Sequence, residues 1–212
     1  MKPPPLSPSF PFPIPKFRFS PKWLGLLLLT GISSSYYTVS SESEAVVQRF
    51  GKFHAISPPG LHFKLPYGID RATIVPVRRQ LKLEFGFGSD GATNPDQRSD
   101  NSALESDMVT GDLNAARVEW IVQYGISSPQ KYLYRFRNPG TTLRDLTESA
   151  MCEVIGDRTI DEVLTVGRTE IENSCLLRLK SVLGRLDMGI TAEQIQLKNV
   201  HPPAPVQRSF ED

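Results

Sequence analysis

The sequence predicts an α+β fold in which an antiparallel-rich sheet packs with helices behind a single N-terminal transmembrane helix. Apolar and polar side chains alternate along residues 116–126, which is the pattern of a half-buried antiparallel strand. From residue 128 the apolar spacing becomes helical, and the 173 residues that follow the first 39 are enough for one sizeable core. Ahead of both patterns, residues 23–39 form an apolar stretch that predicts a membrane anchor.

The predicted transmembrane helix is short. Residues 23–39 rise about 25 Å as a helix, against a hydrocarbon core of about 30 Å. Aromatic residues stand at both ends, as they do at membrane interfaces. A cleaved signal peptide is the alternative, with Lys22 as its basic region and Ser33 to Ser35 at the cleavage site. The residues predicted to span the membrane are Trp23, Leu24, Leu26, Leu27, Leu28, Leu29, Ile32, Tyr36 and Tyr37.

Residues 1–22 form a Pro-rich basic tail for which the composition predicts disorder. The tail carries Lys2, Lys16, Arg18 and Lys22 and no acidic residue, whereas the whole chain has a formal net charge of +1. Basic residues beside a span stay in the cytoplasm, so we expect a cytoplasmic N-terminus and an exported main domain. The near-neutral body disfavours a nucleic-acid partner.

Strand signals follow the apolar stretch. Residues 44–50 and 61–65 read as strands, and the Pro and Gly residues between 51 and 60 predict a turn. Residues 71–85 continue the alternation and are predicted as one strand with an edge or bulge at Pro76.

Residues 86–103 are polar and predict a long loop. Residues 86–91 match GxGxxG literally, yet Pro95 and the lack of apolar periodicity leave no helix N-terminus for a pyrophosphate. We therefore reject nucleotide binding. Residues 104–109 and 116–126 are predicted as a hairpin, with Trp120 in the core.

Four helices and one strand complete the pattern. Ser128 and Pro129 predict a short helix, Thr142 and Asp145 predict the cap of a longer one, and residues 159–162 form a capping box. Residues 168–188 predict a second long helix ended by a left-handed Gly189, and residues 190–200 a last strand.

Groups suited to catalysis are sparse. His54, His62 and His201 show no metal-ligand spacing, and no hydrolase or phosphate-binding motif is present. Cys152 and Cys175 are expected to be core-facing apolar fillers, with a disulfide as the alternative if the domain is exported. The sequence therefore predicts no catalytic residues, cofactor or metal.

From residue 36 onward the order of motifs resembles the SPFH (band 7, prohibitin-homology) superfamily, and most closely its HflK branch. The stretches that carry the resemblance are residues 37–39 (YTV), 44–52 (EAVVQRFGK), 59–66 (PGLHFKLP), 84–87 (EFGF), 108–112 (MVTGD), 118–124 (VEWIVQY), 143–145 (LRD), 148–150 (ESA), 161–165 (DEVLT) and 200–203 (VHPP).

The resemblance implies an SPFH domain over residues 40–203 and a non-catalytic scaffold that modulates the membrane protease FtsH. It implies an HflC-like SPFH subunit, an FtsH-type protease and the lipid bilayer as partners. The expected location is the bacterial inner membrane, with one span, a cytoplasmic N-terminus and a periplasmic main domain.

The family's long coiled coil is expected to be truncated here, with residues 204–212 as its first turns. The alternatives are a generic band 7 lipid-microdomain scaffold and, less expected, a secreted hydrolase released by signal cleavage.

Overall fold

The computed structural model describes residues 35–86, 106–164 and 167–201. The predicted tail, residues 23–34 of the predicted span, residues 87–105 and residues 202–212 lie outside the described residues. Within the described ranges, none of the helices has the length and apolar character needed to cross a membrane.

Antiparallel strands dominate the described chain, as the sequence predicts. In chain order the strands of the N-terminal part are β1 (Tyr36–Val39), β2 (Ser43–Arg49), β3 (Lys52–Ser57), β4 (Gly60–Phe63) and β5 (Asp70–Pro76). The remaining elements are β6 (Leu81–Phe85), β7 (Asp107–Val109), β8 (Ala115–Ile126), α1 (Pro129–Tyr134), α2 (Pro139–Gly156), α3 (Ile160–Leu164), α4 (Arg168–Leu186) and β9 (Ile190–His201).

Residues 35–80 form what we call the N-terminal subdomain. Strands β1 and β4 pair as a two-stranded ribbon, and β2 lies between β3 and β5 in a three-stranded sheet. Every one of these pairings is antiparallel. Because Ala45 and Val46 are fully buried, the central strand β2 is covered on both faces.

The predicted transmembrane helix is wrong at its C-terminal end. Tyr36 and Tyr37 lie in β1, where their Cα partners in β4 are Phe63 and His62. The backbone groups of a paired strand bond to the neighbouring strand, so these two residues do not continue a helix.

Two further strand predictions are corrected. The predicted turn over residues 51–60 contains β3, which pairs with β2. The predicted single strand over residues 71–85 is two strands, β5 and β6, that belong to different sheets. The strand is interrupted between β5 and β6, where the N–H groups of Val77 and Arg78 both donate to the carbonyl oxygen of Glu42, at 3.1 and 3.0 Å.

The second sheet is built around β8. Strand β9 pairs along one edge of β8, and β6 and β7 share the other edge. The predicted alternation in β8 is confirmed, since the residues expected to face the core are all buried: Ala116, Val118, Trp120, Val122, Tyr124 and Ile126. The predicted hairpin is also confirmed, although β7 is shorter than expected.

The helices cover one face of this sheet. Helix α1 begins at Pro129 as predicted, but α2 begins at Pro139 after Asn138, so Thr142 is not its N-cap. Proline at the first position favours this earlier start, and the Thr142 hydroxyl donates instead to the Asn138 carbonyl at 3.0 Å. The capping box is confirmed, because the Thr159 N–H donates to the Glu162 carboxylate at 3.0 Å.

Side chains of α2 and α4 join those of β6 and β8 in a single core that includes Leu143, Ile155 and Leu179. Cys175 is buried in this core, as predicted, whereas Cys152 is exposed on α2 and that part of the prediction is wrong. Both thiols are free. The reason lies in helical phase, since Met151 rather than Cys152 faces the core.

Candidate functional site

Two bulky side chains project from turns at one end of the N-terminal subdomain. Phe50 follows the last residue of β2, has φ 50° and is 78% exposed, and Tyr67 follows β4 with φ 62° and is 57% exposed. Non-glycine residues with positive φ are uncommon and carry a conformational cost. Each is followed by a left-handed glycine, Gly51 or Gly68. The two turns therefore expose two aromatic rings to solvent.

An ion pair holds the two turns together. Arg49 and Asp70 are Cα partners in the pairing of β2 with β5, and the Arg49 guanidinium donates to both Asp70 oxygens at 2.8 and 3.0 Å. The Leu65 N–H also donates to the Asp70 carboxylate at 3.0 Å, and the Phe50 N–H donates to the Ile69 carbonyl at 2.9 Å. The guanidinium, then the Leu65 N–H, lower the pKa of Asp70 to about 2.

The ribbon of β1 and β4 has an apolar outer face. Tyr36 opposes Phe63 and Thr38 opposes Leu61, and all four side chains are exposed. The alternate residues turn inward: Val39 is buried, and the Tyr37 hydroxyl lies 2.7 Å from the Ser57 hydroxyl. One face of the ribbon therefore packs on the three-stranded sheet and the other meets solvent.

The turns and the ribbon share one end of the subdomain. The Lys64 N–H donates to the Ser35 carbonyl at 2.7 Å, and Leu65 and Asp70 are joined through Asp70 N–H to Leu65 carbonyl at 3.4 Å. We call this surface the apolar end, and it consists of Tyr36, Phe50, Leu61, Phe63, Leu65 and Tyr67. The described chain begins at this end, at Ser35, three residues after Ile32 in the predicted membrane anchor.

The sequence located only part of this surface. Tyr36 was predicted to span the membrane and lies in the apolar end, whereas Tyr37 points into the subdomain. The other predicted spanning residues lie outside the described residues: Trp23, Leu24, Leu26, Leu27, Leu28, Leu29 and Ile32. Phe50 and Tyr67 were missed, although the Phe50-Gly51 and Tyr67-Gly68 pairs are turn signals that carry an unexpected aromatic residue.

Groups suited to chemistry are scattered in the described ranges. His54 lies in β3, His62 in β4 and His201 at the end of β9. No group of three His, Cys, Asp or Glu residues there is arranged to hold a metal ion. Burial raises the pKa of the Cys175 thiol to about 12, so this cysteine is a poor nucleophile.

A shallow groove of about 250 Å³ lies between the C-terminal half of α4 and the start of β9. Its lining includes Lys180, Leu183 and Ile190. The groove contains no convergent set of polar groups, so it has no features of a substrate site.

Comparison with models of known protein families shows to which family the chain belongs. The family model described as "SPFH domain / Band 7 family" matches residues 37–212. The chain belongs to the SPFH/band 7 family. The predicted superfamily is thereby confirmed, and the sheets and helices described above are those of an SPFH domain.

Individual relatives point to one branch of the SPFH family. The chain is 35% identical over 188 residues to "Protein HflK" of Treponema pallidum, covering 88% of this chain and 57% of the relative. It is 33% identical to "Protein HflK" of Borreliella burgdorferi, covering 60% of that protein. It is 34% identical to "Modulator of FtsH protease HflK" of Escherichia coli, covering 40% of that protein. The chain thus spans about half the length of these relatives.

One motif of the SPFH domain has a structural role here. In residues 110–112 (TGD), the Gly111 N–H donates to the Arg158 carbonyl at 2.8 Å. A Cβ at Gly111 would lie 2.7 Å from the Gly156 carbonyl oxygen. The Asp112 carboxylate accepts from the Thr110 hydroxyl at 2.5 Å. The motif joins the β7–β8 turn to the end of α2, so it stabilises the fold rather than forming a binding site.

Proposed function

We propose that this chain is a non-catalytic, membrane-anchored regulatory subunit that modulates an FtsH-type membrane protease together with an HflC-like SPFH partner. Support comes from the family and from the name of the Escherichia coli relative, a modulator of FtsH protease.

The position of the apolar end carries the membrane part of the proposal. An anchor over residues 23–34 would deliver the chain into β1 at Ser35, directly beside Phe63 and Lys64. The apolar end would then face the bilayer. Exposed aromatic side chains are stabilised at a membrane interface because their rings leave water, and the hydroxyl groups of Tyr36 and Tyr67 would stay hydrated there.

The basic tail sets the proposed orientation. Lys and Arg before residue 23 remain on the cytoplasmic side, so the SPFH domain would lie on the periplasmic side of a bacterial inner membrane. Protease added to spheroplasts should digest the domain and leave the anchor in the membrane. Protection of the domain in spheroplasts, with digestion in inverted vesicles, would reverse the orientation.

The regulatory role is tested by reconstitution. Full-length chain, an FtsH-type protease and an HflC-like subunit are placed in one membrane, and the rate of degradation of a membrane substrate is compared with and without the chain. We expect a changed rate and recovery of the three proteins as one complex in mild detergent. Membrane retention without either effect would favour a generic band 7 scaffold instead.

A further inference from the structure

Two lysines are close neighbours in sequence of the aromatic residues of the apolar end. Lys52 follows Phe50 across a single glycine, and its Cα partner is Arg49 at the end of β2. Lys64 stands between Phe63 and Leu65. Lys52 is exposed and Lys64 is half-buried. Neither ammonium group forms an ion pair with a carboxylate of the described residues.

The two parts of the domain also differ in their balance of basic and acidic residues. Residues 35–80 contain six Lys and Arg against three Asp and Glu, and one of the three acids, Asp70, is already neutralised by Arg49. Residues 81–201 contain thirteen basic and eighteen acidic residues. The half of the domain that carries the apolar end is therefore the basic half.

We infer that the apolar end selects anionic phospholipid headgroups, with Lys52 and Lys64 binding lipid phosphates while Phe50 and Phe63 enter the interface. The inference rests on the proposed function and names the lipid class that the same surface takes. Lysine stems lie along apolar surface and extend the ammonium group to the headgroup level, and aromatic rings beside lysines are typical of interfacial membrane surfaces.

A second copy of the chain is a poorer occupant of the same surface. In a two-fold contact the same patch is present on both sides. Lys52 and Lys64 of one copy would then approach the same lysines of the other, and like charges oppose that contact. An anionic bilayer neutralises them instead.

The expected effect is modest for each residue and depends on salt. A lysine near an anionic membrane strengthens binding about fivefold, and the effect falls off within a Debye length of about 8 Å at physiological ionic strength. Two lysines should therefore produce a clear preference at low salt that high salt removes.

The test places a fluorescent reporter at the apolar end of the full-length chain. Phe63→Trp in a Trp23→Phe background is reconstituted into vesicles of brominated phosphatidylcholine, either alone or mixed in equal parts with brominated phosphatidylglycerol, so that both kinds of vesicle hold the same amount of bromine. The emission of the Trp23→Phe protein, which comes from the buried Trp120 alone, is subtracted. Bromine quenches an indole that enters the acyl region. We expect stronger quenching in the mixed vesicles, and loss of that difference at high salt.

Charge variants then assign the effect to named residues. Lys52→Gln with Lys64→Gln should make quenching equal in the two kinds of vesicle. Lys180→Gln with Lys198→Gln changes the charge equally on exposed residues of α4 and β9, and should preserve the difference. Because three of these lysines are exposed and Lys64 is only half-buried, each variant is expected to fold, and circular dichroism checks this.

Each outcome separates the inference from the proposed function. Equal quenching of the parent in both vesicles overturns the headgroup preference and leaves membrane contact intact. Absence of quenching in both vesicles overturns the contact itself and with it the inference. A blue-shifted reporter that bromine does not quench, together with dimers in detergent, would show that a second copy covers the surface.

Discussion

The guanidinium carbon of Arg144 lies 4.5 Å from the centroid of the Phe85 ring. Phe85 in turn stacks on Trp120, with ring centroids 4.5 Å apart and an angle of 7° between the planes. Arg144 is 4% exposed, and its guanidinium donates to the Glu84 carbonyl at 3.0 Å. Residues from α2, β6 and β8 thus form one three-layer stack, and the EFGF, VEW and LRD motifs meet at this point of the core.

Replacing the cation at the top of this stack should destabilise the fold. Arg144→Met keeps an unbranched apolar stem but removes the cation–π contact and the bond to Glu84, so we expect a loss of about 1–3 kcal/mol in the free energy of unfolding. Arg178→Met is the matched control, because Arg178 pairs with Glu153 at an exposed position, where ion pairs contribute about 1 kcal/mol or less. Urea unfolding in mild detergent, followed by circular dichroism, measures both. Equal midpoints for the two variants would contradict the role of the stack.

Trp120 contributes through its ring rather than through its N–H. The side chain is fully buried, and within the described chain the indole nitrogen has no hydrogen-bond partner. Trp120→Ala should therefore cost about 3–5 kcal/mol, as large-to-small core substitutions do. Trp120→Phe keeps the stack on Phe85 and loses no hydrogen bond, so its cost should be clearly smaller. If the two variants unfold at the same urea concentration, the stack on Phe85 does not stabilise the core.

The ion pair between Arg49 and Asp70, which joins the two turns of the apolar end, should be sensitive to acid. The pKa of Asp70 falls from an ordinary 3.8 to about 2 in the folded protein. A lowered pKa adds stability that is present above pH 4 and is lost as the pH falls toward 2. The stability difference between the parent and Asp70→Asn should therefore be constant at neutral pH and shrink between pH 4 and pH 2. Asp145→Asn makes the same charge change at an exposed site on α2 and serves as the control. A difference that does not vary with pH would show that Asp70 is not held by Arg49.

The elements predicted correctly from the sequence are those with one apolar and one polar face, or with a cap formed by neighbouring residues. Strand β8 was found with its buried face because apolar and polar residues alternate along it, and the helix after Thr159 was found because its cap is local in sequence. Strand β3 was missed because all but one of its residues are exposed, which leaves no alternation to detect. An edge strand of this kind is defined by its partner rather than by its own pattern.

The candidate site was harder to predict because it depends on distant contacts. Apolar residues in a turn usually indicate a misassigned element, yet Phe50 and Tyr67 stand in turns that Arg49 and Asp70 join across 21 residues of sequence. Neither residue has a periodic neighbour that marks it as part of a surface. Tyr36 was predicted inside the membrane-spanning helix and lies in β1, because an apolar strand that follows an apolar segment leaves no boundary signal in the sequence.

Two glycines near the end of α4 provide a contrast in which the same substitution should have opposite effects. Gly189 has φ +71°, and a Cβ there would lie 2.5 Å from the Ser128 carbonyl oxygen and 2.8 Å from Lys131 Cβ. Its carbonyl also accepts from the N–H groups of Ser127 and Ser128, at 2.9 and 3.1 Å. Gly189→Ala therefore adds a strained backbone and a clash with main chain, and should cost at least about 2 kcal/mol.

Gly184 lies inside α4, and a Cβ at that position would meet nothing within 4 Å. Gly184→Ala should stabilise the domain by about 0.5–1 kcal/mol, since alanine lowers the entropy of the unfolded chain and favours the helix. Both variants are compared with the parent by urea unfolding in the same detergent. Because Gly189 positions Ser128 at the start of α1, its substitution should loosen the contact between α1 and the N-terminal subdomain, where Tyr134 packs edge-on against Phe53 at 6.3 Å. Destabilisation by Gly184→Ala, or tolerance of Gly189→Ala, would mean that α4 ends differently from the geometry described.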